Sequence, residues 1–276
     1  MNNLLIDDLL RLSLQEDLGF GDITTEAICP EDQVSHGYLL AKQNFILAGM
    51  AVFTRVFSLL DQRVEVQAHY SDGQPVAKGI KFAAISGPTR PLLAGERVAL
   101  NFLQHLSGIA TATNRCVEAV KGFNTVIVDT RKTTPGLRAL EKYAVTVGGG
   151  QNHRLRLDSL VLIKDNHIQA AGGIGEAVRR VRGRVSPYIK IEVETETLDQ
   201  VTEALTAGAD IIMLDNMPLP VVTQAVRLIS GRALVEVSGN VTGDKVADLA
   251  AAGVDLISSG ALTHSVQAAD ISLRLA

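Results

Sequence analysis

Residues 189–240 read IKIEVETETLDQVTEALTAGADIIMLDNMPLPVVTQAVRLISGRALVEVSGN. Three short apolar runs, Ile189 to Val193, Ile211 to Leu214 and Leu234 to Val237, are separated by two stretches of helical periodicity, Leu198 to Ala207 and Pro220 to Ile229. Runs this continuously aliphatic are what a parallel strand covered on both faces requires, and a helical crossover is how the chain returns to start a parallel neighbour. Each run ends in polar residues: Glu192 and Glu194, then Asp215-Asn216, then Ser238-Gly239-Asn240. The stretch predicts β/α units whose strand ends face a common site.

Outward in both directions the pattern continues. Upstream, Val126-Ile127-Val128 ends in Asp129-Thr130-Arg131-Lys132, and Leu160 to Ile163 ends in Lys164-Asp165-Asn166-His167. Downstream, a helical stretch from Asp244 to Ala252 leads to Leu256-Ile257 and Ser258-Ser259-Gly260. A doubly wound sheet concentrates ligand groups at one switch point, whereas a barrel gathers the C-terminal ends of all its strands around one mouth. Polar ends on every strand favour the barrel. Six strands where a complete barrel has about eight predict an incomplete one.

The first hundred residues mix element types, with an amphipathic helix from about Asp7 to Leu18 and strand-like runs near His36 to Ala41, Val64 to His69 and Ile80 to Ile85. Gly87-Pro88 and Pro91 act as breakers before a long apolar-periodic stretch from Gly95 to about Val120, interrupted at Ser107-Gly108, which reads as one helix or two stacked helices. The fold class expected is α/β: an incomplete parallel α/β barrel with an N-terminal α+β domain.

Composition excludes several classes. With 276 residues, 46% of them hydrophobic, the chain buries a substantial core. A net charge of −4, four Tyr, seven Phe and no Trp leave neither the basic field nor the stacking platform that nucleic acid needs, so no nucleic-acid partner is expected. Apolar runs fall far short of the ~20 residues that span a bilayer, so no membrane partner is expected either. Cys29 and Cys116 lack C-x-x-C spacing and read as reduced, and the start of the chain carries Asp7-Asp8 where a signal peptide would carry positive charge. A cytoplasmic location is expected.

Arg131 and Lys132 follow a buried strand, in a run where Pro135 suits the first turn of the next helix; they read either as a solvated loop or as a clamp for carboxylate or phosphate. Gly148-Gly149-Gly150 stands before Gln151-Asn152-His153-Arg154, and a helix stop needs only one glycine, so three point to close backbone approach to a ligand. Lys164 ends a strand where a partly buried amine faces the mouth, or pairs with Asp129 or Glu192 in a purely structural role. Glu194 and Asp215 either pair with the surrounding cations or hold Mg²⁺ on a polyphosphate. Ser238-Gly239-Asn240 and Ser259-Gly260-Ala261 end the last two strands, where barrels frequently bind phosphate. The histidines show no H-E-x-x-H spacing, and no P-loop, G-x-S-x-G elbow or G-x-G-x-x-G fingerprint is present.

The segments DTRKTTPGL (Asp129 to Leu137), GGGQNHRL (Gly148 to Leu155), LIKDNH (Leu162 to His167) and GALTHS (Gly260 to Ser265) resemble the signature segments of quinolinate phosphoribosyltransferases. The similarity extends through Gly95-Glu96-Arg97 and Asn101 to Thr113 and covers essentially the whole chain. It implies transfer of phosphoribose from phosphoribosyl pyrophosphate (PRPP) to quinolinate with decarboxylation, Mg²⁺ as cofactor, and a homodimer, with association beyond the dimer left open. It assigns residues 1–106 with 266–276 to the first domain, the latter as a returning last helix, and 107–265 to the barrel. Carried over, Arg131, Lys132, Thr133, His153, Arg154 and Lys164 would line the pocket for quinolinate and pyrophosphate, with Lys132 and Lys164 taking up leaving-group charge. Glu194 and Asp215 would hold the ribose hydroxyls and associated Mg²⁺. Ser238 to Asn240 and Ser259 to Ala261 would cradle the 5′-phosphate, and Arg97, at the start of its helix, would reach the neighbouring subunit's site. A related transferase-like protein of molybdenum transport systems, or a non-catalytic sensor, would share the barrel but has less use for the full cationic set beside two acids.

Overall fold

The computed structural model describes residues 6–239 and 245–276, so Asn240 and Asp244 lie outside the described residues. In chain order the elements are α1 (Asp7–Leu18), α2 (Ile23–Ile28), β1 (Val34–Ala41), β2 (Phe45–Ile46), α3 (Met50–Leu60), β3 (Glu65–Ala68), β4 (Pro75–Val76), β5 (Lys81–Pro88) and α4 (Thr89–Ala119). Then follow β6 (Val126–Val128), α5 (Arg138–Val147), β7 (Val161–Ile163), α6 (Asp165–Ala171), α7 (Ile174–Arg182), β8 (Ile191–Thr195), α8 (Leu198–Thr206), β9 (Ile211–Asp215) and α9 (Leu219–Ile229). The chain ends with β10 (Leu234–Ser238), α10 (Val246–Ala251), β11 (Leu256–Ser258), α11 (Ala261–His264) and β12 (Ile271–Leu275). It packs as two compact units, one of Met1–Ala112, Pro135–Gly149 and Val266–Ala276, the other of Thr113–Thr134 and Gly150–Ser265. Among the described residues no helix is long and apolar enough to cross a membrane.

In the first unit four antiparallel strands run in the order β12-β1-β5-β3. Its core is built on Phe53, Phe57, Phe82, Leu92, Leu103 and Leu106, all essentially inaccessible, with Phe53 and Phe57 edge to face at 5.1 Å. Two expectations are corrected here and one alternative is settled. The returning C-terminal segment is a strand, not a helix: Leu273 and Ile271 face the core from β12 in alternation, which suits period two. Of the two readings of the stretch around Ser107-Gly108 the single helix is the one found, and both residues serve packing; Ser107 Oγ is hydrogen-bonded to Ala48 N–H and C=O, and a Cβ on Gly108 would meet Gln267 O. Helix α4 begins at Thr89, so Arg97 lies in its interior rather than at its start.

The second unit is a six-stranded parallel sheet in the order β6-β11-β10-β9-β8-β7. Strands β6 and β7 follow one another in the chain yet occupy opposite edges, so the barrel is open between them. Val193, Ile212, Leu214 and Val237 are sealed between the sheet and inward faces of α8 and α9, which present Val201, Ala204, Val222 and Ala225. Local chemistry starts these helices. The Thr197 hydroxyl accepts from Gln200 N–H while the Gln200 side chain returns the bond, and Pro220 occupies the first turn of α9. Pro135, by contrast, lies in the loop before α5, whose first helical residue is Arg138. Gln151 bridges to Val128 and extends the β6 edge, so the segment after the glycines enters the mouth at sheet level.

Candidate active site

A cavity of about 490 Å³ opens at the C-terminal ends of the barrel strands, lined by Arg131, Lys132, His153, Arg154, Lys164, Glu194, Asp215, Ser238 and Gly239 from the expected set. Alternation places them: Glu194 and Thr195, or Leu214 and Asp215, point to opposite faces, so strands sealed on their helix side still offer one residue in two to the mouth. Thr130, Leu162, Met213, Asn216, Glu236 and Ser258 complete the lining.

The cations sit unevenly. Lys132 is exposed; its N–H donates to Thr130 Oγ1 at 3.0 Å and its C=O accepts from the Thr263 hydroxyl at 2.8 Å. Thr133 N–H closes the same turn on Arg131 C=O at 2.9 Å. Arg131 and Arg154 each bury an Nε–H for which the described residues supply no acceptor. Burial, and then the neighbouring Arg131, hold the Arg154 guanidinium below its usual value, while Glu192 acts in the opposite direction. Two donors left without protein partners in a sheltered mouth favour an anionic ligand.

Lys164 caps α6 and its Nζ lies 2.5 Å from Glu194 Oε2. The partner is thus Glu194, neither Asp129 nor Glu192. Asp215 Oδ2 accepts from Asn216 Nδ2 at 2.9 Å. Gly239 adopts φ +88°, a backbone conformation that favours glycine, and the Asn216 side chain lies against the place of its Cβ. Gly260 lets the Lys132 side chain pass: Lys132 Cδ is 2.8 Å from the place of a Cβ. Ser259, Gly260, Ala261 and Thr133 lie beside the mouth without lining it, Asn240 is outside the described residues, and Arg97 is an exposed residue of the first unit.

Sequence reading missed Glu236 and the placement of Glu192. His153, Glu192 and Glu236 bring ligand-type atoms within 4.8 Å of one another, a cluster that no linear spacing announces. The available signal was a glutamate flanked on both sides by aliphatic residues in each of two strands, Glu192 in IEVET and Glu236 in LVEVS.

An open α/β barrel with a cation-rich mouth, two acids on adjacent strands and small residues at the last strand ends defines an enzyme domain that handles multiply charged anions. Residues 22–107 match the model of the quinolinate phosphoribosyl transferase N-terminal domain and residues 109–274 that of its C-terminal domain, so the chain belongs to the quinolinate phosphoribosyltransferase family. It is 45% identical over 273 residues to a probable nicotinate-nucleotide pyrophosphorylase (carboxylating) of Bacillus subtilis, covering 99% of this chain and 94% of the relative. A chloroplastic nicotinate-nucleotide pyrophosphorylase of Arabidopsis thaliana is 44% identical, over 97% of this chain and 82% of that protein. The crystal structure of NadC from Streptococcus pyogenes superposes with a TM-score of 0.96 at 44% identity, covering 100% of this chain and 98% of that one.

Proposed function

We propose that this chain is a decarboxylating quinolinate phosphoribosyltransferase of NAD biosynthesis. The C1–O bond of PRPP to its pyrophosphate breaks, the pyridine nitrogen of quinolinate bonds to C1, and the ring carboxylate next to that nitrogen leaves as CO₂ while the vacated carbon takes a proton. The products are nicotinate mononucleotide, pyrophosphate and CO₂. The observation that carries this reading is the pair of buried Nε–H groups of Arg131 and Arg154, without protein acceptors, in one cavity with Glu194 and Asp215.

Arg131, Arg154, Lys132 and His153 bind the carboxylates and the leaving pyrophosphate; Thr133 supports the turn that carries Lys132. Glu194, held by Lys164, and Asp215 face the ribose and stabilise positive charge as it develops at C1. Ser238 and Gly239, with Asn240 and Ser259 to Ala261, take the 5′-phosphate. The carboxylates of Glu194 and Asp215, both in the cavity, are hard oxygen donors that suit Mg²⁺ carried on PRPP. Bound there, the ion supplies charge neutralisation to the pyrophosphate. No covalent nucleophile is needed. Desolvation of the carboxylate among arginines favours decarboxylation once the ring nitrogen is positive. The working unit in this reading is a cytoplasmic homodimer, with Arg97 of each chain serving the neighbouring site; Arg97's exposure on α4 and the two free cysteines, Cys29 and Cys116, fit it.

Incubating the protein with quinolinate, PRPP and Mg²⁺ and assaying nicotinate mononucleotide tests the activity. Product in proportion to CO₂ is expected; absence of product overturns the assignment.

A further inference from the structure

His153 is held at three points. Its backbone N–H donates to Asp129 Oδ1 at 2.9 Å, its ring Nδ1 accepts the N–H of Arg154 at 2.7 Å, and its Nε2 stands 3.0 Å from Glu192 Oε2 and 3.6 Å from Glu236 Oε2. A ring nitrogen that accepts carries no proton, which leaves the ring N–H on Nε2, facing the two glutamates. Those carboxyls are 0% and 1% exposed. None of their four oxygens receives a well-directed hydrogen bond from the described residues, and the Ser258 hydroxyl beside them is buried without one as well. One shared N–H does not offset two sealed carboxylates, because an unpaired buried charge is among the costliest features a protein can hold.

We propose that Glu236 is a positioning residue for the transfer reaction: as a carboxylic acid facing Glu192, it completes a Glu236–Glu192–His153 cluster that locks the imidazole and, through it, the backbone and guanidinium of Arg154 in the mouth. Like-charged carboxyls in contact share a proton rather than both ionise. Burial and then the adjoining Glu192 push the Glu236 carboxyl up to about 8, so it keeps that proton at neutral pH. Glu192, beside it, opposes the effect of Arg131 on the Arg154 guanidinium. A proton fits the cluster better than a metal ion does. A cation on Nε2 would require the ring proton on Nδ1, where the N–H of Arg154 already points.

The inference rests on the quinolinate reading, and the wild-type protein assayed alongside separates the two: no product from wild type defeats that reading and leaves the cluster to be judged by its effect on binding. The variants are Glu236→Gln, which keeps shape and a donor, and Glu236→Met, of similar volume but apolar. Quinolinate affinity by calorimetry, KM and kcat, melting temperature and metal content are measured for each. Glu236→Gln is expected to hold quinolinate affinity within about threefold, and Glu236→Met to lose about tenfold or more while melting as a folded protein, a difference of one lost buried hydrogen bond. Equal quinolinate affinity in Glu236→Met and wild type overturns the proposal. So do an equal loss in both variants, which would mean that the ionised carboxylate is what matters, and a stoichiometric metal that is present in wild type and absent from Glu236→Gln.

Discussion

Lys164 and Glu194, at the ends of neighbouring strands β7 and β8, meet Nζ to Oε2 at 2.5 Å, with Glu194 largely sheltered and Lys164 43% exposed. A half-exposed ion pair contributes little to stability, typically about 0–1 kcal/mol, so breaking it should cost the barrel little. Lys164→Ala and Arg154→Ala are therefore expected to lower kcat/KM by about two orders of magnitude or more with little change in melting temperature. Circular dichroism melts and steady-state kinetics on the same preparations check this; parallel losses of folding and rate would assign both residues to the scaffold.

Quinolinate should bind and turn over far better than nicotinate. Removing one carboxylate leaves guanidinium groups in the mouth unpaired, and sites built around a charged partner reject the analogue that lacks it. Calorimetric titration with both acids decides, and equal affinities would contradict a dicarboxylate site.

The raised Glu236 carboxyl has a consequence for stability with a definite sign. In the unfolded chain it releases its proton near the ordinary value of 4.5, whereas in the folded protein it holds it to about 8. Between these values the folded state binds more protons, so this residue lowers stability as pH rises through the window. Urea denaturation from pH 4.5 to 8.5 should show the advantage of Glu236→Gln over wild type growing across that range and levelling above it. A difference that stays flat with pH would show that Glu236 titrates normally.

Arg97 offers a test of site sharing. Arg97→Ala and Glu194→Ala subunits should each be inactive alone and complementary together, because a mixed dimer contains one intact site and one with both defects. Random exchange of equal amounts makes about half the dimers mixed, so activity should recover to roughly a quarter of wild type. No recovery after demonstrated subunit exchange would mean that each chain builds its own site. Asp61 is already engaged by Arg63, at 2.7 Å, and is not the partner that would hold Arg97 at home.

Much of the architecture was legible because it is written in local patterns. Six aliphatic runs, each closing on polar residues, sufficed for a parallel α/β unit with a mouth at its strand ends. Nine of the expected site residues line one cavity because the βα boundary recurs in every unit. Long-range contacts were not legible at the same level. Ser107-Gly108 left one helix or two open, since the passage of Gln267 against the glycine is invisible in sequence, and the last segment's place as a strand depends on pairing with β1, far away in sequence.

By itself the sequence determined the alternating strands and helices of the second unit and which side chains stand at the strand ends, since periodicity, capping and turn chemistry act between residues a few positions apart. Only the tertiary structure decided the strand order, the choice of Glu194 as the partner of Lys164, and the meeting of His153, Glu192 and Glu236. The physical reason is that parallel registry and burial bring together residues separated by whole β/α units. Whether a glutamate in an aliphatic strand is a surface charge or a sealed acid depends on what the neighbouring strands place opposite it.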